Sequence, residues 1–380
     1  MSKWILMPDS FKGTMSSLEI CQLMREALLR HVPDAEVVSI PVADGGEGSV
    51  EAFLAAMGGH RVEVPCTGPD FRKISGFYGL LADGYTAVIE MAAAAGLPLM
   101  EGRLCAEGAT TYGVGELILA AIRDGARRII LGLGGSATND GGAGMAQALG
   151  VKLLNDAGEQ VGLGGGALGE VAHVDVSGVD RRVKEVKVLI ASDVTNPLTG
   201  PEGASAVFGP QKGATPEMVK LLDDNLHHYA AVIKADLGRD LEEKPGAGAA
   251  GGLGTGLLAF TNATMQKGIE LVVEYSQLEE QAAGADYVLT GEGSIDFQTK
   301  FGKTPYGVAK TTKRVAPKAP VIGIAGHLGK GGAELADEGV IDAVFASPSG
   351  AKSLEQAIAD AAQDVALTAE NVARLIKVSH

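Results

Sequence analysis

The chain has 380 residues, enough for two or three domains at roughly 100–200 residues each. Its 47 acidic against 32 basic side chains leave a net charge of −15, a surface that repels a phosphate backbone and excludes sequence-independent nucleic-acid binding. Glycine accounts for 54 residues while 46% of the chain is hydrophobic, so the glycine is expected in functional turns of a folded protein and not in a linker. Three widely spaced cysteines, Cys21, Cys66 and Cys105, form no disulfide framework and fit a reducing compartment. The start of the chain, MSKWILMPDSFKG, lacks the apolar core of a signal peptide, and the uncharged residues 245–266 carry too much glycine for a membrane helix. A cytoplasmic protein with no membrane partner is expected.

Residues 4–7 and 37–42 are apolar runs ending in the polar, glycine-punctuated turns PDSFKG and ADGGEG, as buried strands do. Between them Ser16 and Glu19 form a capping-box pattern, and Ile20, Leu23, Met24, Ala27 and Leu28 recur at helical spacing. A second helix is predicted over 47–57, and this alternation of strand and helix predicts a parallel sheet. Residues 61–91 hold three strand-like runs, and RRIILGLGGSATNDGG and VKVLIASDVTNPLTG each place a strand before a polar loop. The first rhythm returns at 287–289, 321–325 and 343–346, where strands end in TGEGSID, GHLGKGG and SPSG. An amphipathic helix with Ile358, Ala361, Val365, Val372 and Leu375 on one stripe closes the chain. The fold is expected to be α/β with two domains: a parallel-sheet domain built from 1–65 plus 286–380, and an inserted mixed α/β domain at 66–285.

In open α/β sheets ligands bind beyond the carboxyl ends of strands, so the polar loops that follow strands carry the functional weight. Six qualify: Asp9 to Gly13, Asp44 to Gly48, Gly134 to Gly142, Ser192 to Pro197, Gly291 to Asp296 and Gly326 to Lys330. Any one of them could be ordinary turn and cap chemistry, since Asp, Asn, Ser and Gly are what turns require. Six together point instead to a ligand. Glycine-rich backbone at helix starts cradles phosphate, and neighbouring carboxylates suit Mg²⁺, so the loops point to Mg²⁺-assisted phosphoryl transfer. Lys12, Lys212, Lys303 and Lys330, each beside a glycine, are the candidate cations. FQTKFGKT at 297–304 has Phe where a phosphate-binding P-loop begins with Gly. Residues 132–137 satisfy G-x-G-x-x-A, which keeps a nicotinamide-dependent oxidoreductase of a small hydroxy acid as a rival.

Seven blocks, in order, make the chain resemble the bacterial type I glycerate kinases over essentially its full length: PDSFKG, ADGGEG, GLGGSATNDGGAGM, DVTNPLTGPEGA, VFGPQKGA, GAGAAGGLG and LTGEGSIDFQTKFGKTPYGVA. Ser294 departs from the larger residue, often Arg, that the family places after GEG. The resemblance implies a flavodoxin-like domain and a mixed α/β insertion with the active site in the cleft between, and ATP-dependent phosphorylation of D-glycerate to 2-phosphoglycerate. A kinase of another small hydroxy acid is the nearer alternative, and a homodimer is the candidate assembly. Within that expectation Lys12 neutralises the transferring phosphate and Asp9 or Asp193 orients the acceptor hydroxyl. Asp44, Asp296 and Glu292 are the candidate Mg²⁺ ligands. Ser10, Asp44, Gly45, Gly46, Glu47, Gly134, Gly135, Ser136, Asn139, Asp140, Asn196, Gly251, Gly252, Glu292, Gln298 and Lys303 are the candidate contacts to substrate or phosphate.

Overall fold

The computed structural model describes residues 1–42, 45–46 and 48–378. Its strands in chain order are β1 (Lys3–Pro8), β2 (Glu36–Ser39), β3 (Gly59–Thr67), β4 (Lys73–Leu81), β5 (Thr86–Glu90), β6 (Arg128–Gly132), β7 (Lys152–Leu154), β8 (His173–Asp175), β9 (Lys187–Ala191), β10 (Asn262–Gln266), β11 (Tyr287–Ile295), β12 (Val321–Leu328) and β13 (Ala343–Ala346). The chain divides into two compact units, one of residues 1–44, 51–58 and 267–380, the other of 45–50 and 59–266.

The first unit is built on a parallel sheet of order β13-β12-β11-β1-β2. Numbered within the unit, that is 2-1-3-4-5, the flavodoxin order, in which the direction of strand addition reverses between the first and third strands. Here those are β1 and β11. The helix Ser17–Leu29 starts where the sequence predicts: the Ser16 hydroxyl accepts from the Glu19 N–H at 3.2 Å, and the Ser16 N–H donates to Glu19 Oε2 at 2.7 Å. Such a cap stabilises a helix by about 1 kcal/mol. Its apolar face, Ile20, Met24, Ala27 and Leu28, packs with Trp4, Leu6, Leu289, Ile324, Val365 and Val372 in one core.

The second unit carries a six-stranded sheet, order β10-β9-β6-β5-β4-β3, antiparallel from β3 to β5 and parallel from β5 to β10, beside a β7–β8 hairpin. Its core includes Ile89, Leu117, Ile118, Ile129, Leu131, Ile190 and Leu257. Residues 59–65 belong to this unit because β3 pairs with β4 along its whole length, from Gly59↔Leu81 to Thr67↔Lys73. Residues 267–285, grouped with the insertion on sequence grounds, belong to the first unit, where the helices Gly268–Tyr275 and Leu278–Ala282 pack against the helix Thr304–Val315.

Two local expectations are corrected. β11 does not stop at 289 but runs to Ile295, because Ser294 and Ile295 still pair with His327 and Leu328, so Glu292 lies within a strand and not in a loop after it. The closing helix is interrupted at Asp360, where Lys352 meets Asp360 at 2.9 Å and Asp364 at 2.7 Å. The break takes Ile358 off the stripe, Leu375 lies beyond its edge in solvent, and Asp364, Ala369 and Ala373 join Val365 and Val372 in the buried stripe. The glycine-rich stretch after 245 forms the helix Ala249–Phe260, bent where Ala250, Gly251 and Gly252 take left-handed backbone angles. Among the described residues no helix is long and apolar enough to cross a membrane.

Candidate active site

In the first unit the carboxyl ends of β1 and β11 flank the switch point, where a doubly wound sheet leaves room for a ligand. Asp9 follows β1 directly, tied to β11 by its N–H to the Gly291 carbonyl at 2.8 Å. Its side chain is buried, with Oδ1 accepting from the Ser10 N–H and Oδ2 from the Thr304 hydroxyl, both at 2.7 Å. On β11, Glu292 is also buried and its Oε1 accepts from the Thr299 hydroxyl at 2.7 Å. Lys303 sets its ammonium 3.5 Å from Glu292 Oε1 and 3.6 Å from Asp296 Oδ1. Burial pushes the Glu292 carboxyl above the usual range, opposed by Thr299 and then Lys303. A Cβ on Gly293 would lie 3.5 Å from the Phe11 Cα, so β11 runs alongside the PDSFKG loop.

The structure thus brings Asp9, Ser10, Glu292, Asp296 and Lys303 into one neighbourhood, with exposed Lys12 on the adjoining loop. Gln298 is exposed and its backbone N–H donates to Asp296 Oδ1 at 2.8 Å. Asp44 and Glu47 lie outside the described residues. Thr299 and Thr304 are absent from the sequence-based set. The signal for Thr304 was its place beside Gly302-Lys303 at a helix start, read only as a failed P-loop.

Among the described residues no three or more His, Cys, Asp or Glu side chains gather as a metal cage. Magnesium needs no such cage, because it binds through one or two carboxylates with water and phosphate oxygens. Glu292 and Asp296, hard oxygen donors that share one ammonium, fit that requirement.

In the second unit the loops after β6 and β9 meet the Gly45-Gly46 segment. A Cβ on Gly134 would lie 2.6 Å from the Gly46 Cα, and one on Gly45 would lie 2.6 Å from the Ala191 carbonyl oxygen, so backbone meets backbone here. The Gly134 N–H donates to the Gly45 carbonyl at 3.1 Å, which takes it out of the expected phosphate cradle. Gly135, at φ +75°, and Ser136 sit beside it, the latter bridged to Gly96. Asp193 is exposed just after β9. The Asn196 amide donates to the Glu202 carbonyl at 2.7 Å and closes its own loop.

Four expected ligand contacts turn out to be internal. Asp140 is fully buried; its carboxylate accepts from the Thr111 N–H and hydroxyl, both at 2.8 Å, and from the N–H groups of Gly142 and Gly144 at 3.1 and 3.2 Å. Asn139 is fully buried and donates to the Ser205 hydroxyl at 2.9 Å. Gly251 and Gly252 are buried against residues 138–141, with the Gly252 N–H donating to the Gly248 carbonyl at 3.3 Å. These residues hold the 134–142 loop in shape from beneath. Lys212 does the same: it is 1% exposed and its ammonium donates to the Thr138 carbonyl at 2.7 Å.

Burial drives Lys212 down to about 7, with Asp140 pulling the other way, and burial drives Asp140 up. An unfolded lysine titrates near ~10.4, so between ~7 and ~10.4 the folded chain holds fewer protons at this site and stability rises with pH. Below that window the buried charge weighs in full. Urea unfolding across the window should therefore show wild-type stability climbing faster than that of Lys212→Met, by up to about 1.4 kcal/mol per pH unit. Equal slopes would mean that Asp140 offsets the cost of burial and the ammonium keeps an ordinary pKa.

The helix after β6 begins at Ala143, beyond the glycine turn, with Gly142 at φ +73° before it. The nicotinamide reading required a helix starting inside that turn, so the structure does not favour it. The model of the Glycerate kinase family matches residues 4–377. A glycerate kinase of Bacillus subtilis (strain 168) is 48% identical, the match covering 99% of this chain and 98% of that one. A glycerate 2-kinase of Escherichia coli (strain K12) is 46% identical, with 99% and 98% covered. A crystal structure from Salmonella typhimurium LT2, described as a glycerate kinase 2, superposes with a TM-score of 0.88 at 46% identity, covering 100% of this chain and 99% of the other. With that family model spanning both units and relatives of this identity aligned end to end, the chain belongs to the glycerate kinase family.

Proposed function

We propose that the protein transfers the γ-phosphoryl group of ATP to the 2-hydroxyl of D-glycerate, giving 2-phosphoglycerate. The observation that carries this reading is the set of two buried carboxylates, Asp9 and Glu292, at the switch point of the parallel sheet, with Asp296 and Lys303 beside them. Phosphoryl transfer asks a protein for alignment and for charge neutralisation on the moving group. Asp9, fixed through both carboxylate oxygens, is the proposed base that orients the acceptor hydroxyl and accepts its proton at an Oδ atom. Asp193, exposed just after β9, is the alternative candidate for that base. Lys12 neutralises the transferring phosphate. Glu292 and Asp296 are the residues that would hold Mg²⁺, which when bound supplies positive charge to phosphate oxygens. Three free cysteines, one of them exposed, fit a reducing compartment such as the cytoplasm.

The test is a coupled assay with ATP, Mg²⁺ and D-glycerate, with the product resolved by phosphorus NMR. Turnover that yields 2-phosphoglycerate and stops on chelation of Mg²⁺ is the expected result. The 3-phospho isomer would overturn the regiochemistry, and turnover only with other hydroxy acids would overturn the substrate.

A further inference from the structure

We infer that Thr304 is a positioning residue, which sets the Asp9 carboxylate for reaction through the hydrogen bond from its hydroxyl to Asp9 Oδ2. The inference rests on the reading of Asp9 as the base. The two residues stand 295 positions apart in sequence and 2.7 Å apart in space, and both side chains are buried. Thr304 opens the helix Thr304–Val315 and is followed at once by Pro305, so its backbone is pinned where the helix begins. Its branched side chain has few rotamers, which makes its hydroxyl a fixed donor.

Three polar side chains of the segment that ends at Thr304 show the same pattern. Thr299 donates to Glu292 at 2.7 Å, Lys303 spans Glu292 and Asp296, and Thr304 donates to Asp9. One short stretch therefore reaches carboxylates on both sides of the switch point, between β1 and β11. The other Asp9 oxygen accepts from the Ser10 N–H, so a rotation of the carboxylate would break two bonds at once. A base must meet its proton within hydrogen-bond reach, and loss of one of these bonds frees the group to turn away.

Thr304→Val keeps the shape and removes the donor. It should lower kcat for glycerate-dependent ADP formation by roughly 10- to 100-fold, the usual loss when a partner that orients a reacting group is removed, with KM for ATP changed less than about twofold. Thr304→Ser returns the hydroxyl and should recover kcat to within about threefold of wild type. In an Asp9→Asn background Thr304→Val should have almost no further effect, because the threonine acts only through the aspartate. Thr304→Ala gives the same comparison should the valine not fold, and thermal melts of each variant separate lost structure from lost chemistry. Wild-type kcat in Thr304→Val or Thr304→Ala, no recovery with serine, or a full additional loss in the Asp9→Asn background would each overturn the inference. Wild-type turnover in Asp9→Asn would overturn the reading of Asp9 itself, and the inference with it. An inactive Asp9→Asn beside a fully active Thr304→Val removes the inference alone.

Discussion

Asp140→Ala should cost about 3–5 kcal/mol of folding stability, the largest loss expected from any single site described here. Four donors converge on this carboxylate, two of them from Thr111, and its removal strands three backbone N–H groups and a hydroxyl in a region closed to water. The buried Lys212 ammonium also loses its nearest opposite charge. Urea denaturation should show the midpoint falling with the slope preserved. Asp140→Asn, which keeps an acceptor oxygen, should fall well short of that loss. A fully stable alanine variant would mean that the loop 134–142 is held by its packing and not by this network.

The second large effect concerns the chemistry. Asp9→Asn is expected to lower kcat by 10²-fold or more, given the roughly 10²–10⁴-fold that general base catalysis contributes. Asp193→Asn should change kcat less than about tenfold. The sequence offers both aspartates on equal terms. Burial separates them, since Asp9 is buried and Asp193 is exposed. Steady-state kinetics on the two variants decides the matter, and a larger kcat loss for Asp193→Asn would transfer the base to the second unit.

Most strand and helix starts were legible in the sequence because they are local, while the end of β11, set by its pairing with β12, was not. The Ser16–Glu19 cap, the apolar runs before PDSFKG and ADGGEG, and the return of the strand rhythm after 287 each depend on neighbours a few residues away. The site was legible in part. Asp9, Glu292, Asp296 and Lys303 follow from the rule that ligands gather at strand ends, yet their hydroxyl partners come from residues far away or were hidden in a motif that failed its template. Whether a polar residue faces a ligand or an interior depends on packing between distant segments, as when Lys212 reaches Thr138 across 74 positions. Asp140 and Asn139 read as contacts for that reason and proved to be buried struts. Glycine misled in a related way. Much of it permits backbones to cross closely, as at Gly134 against Gly46, and does not line a phosphate cradle.

The pairing of Trp4 with Tyr287 has a consequence for biosynthesis. A ribosome adds about 5–20 residues per second, so β1 leaves the tunnel roughly 15–60 s before its partner β11 exists. Throughout that interval the all-buried segment Trp4–Pro8 has its β11 edge open. Residues 59–266, by contrast, contain every strand of their own sheet and can finish folding while the rest is still being made. The nascent chain therefore acquires its second unit first and carries an apolar, unfinished sheet edge meanwhile, which makes its amino-terminal residues natural clients for a holdase chaperone until translation passes β11.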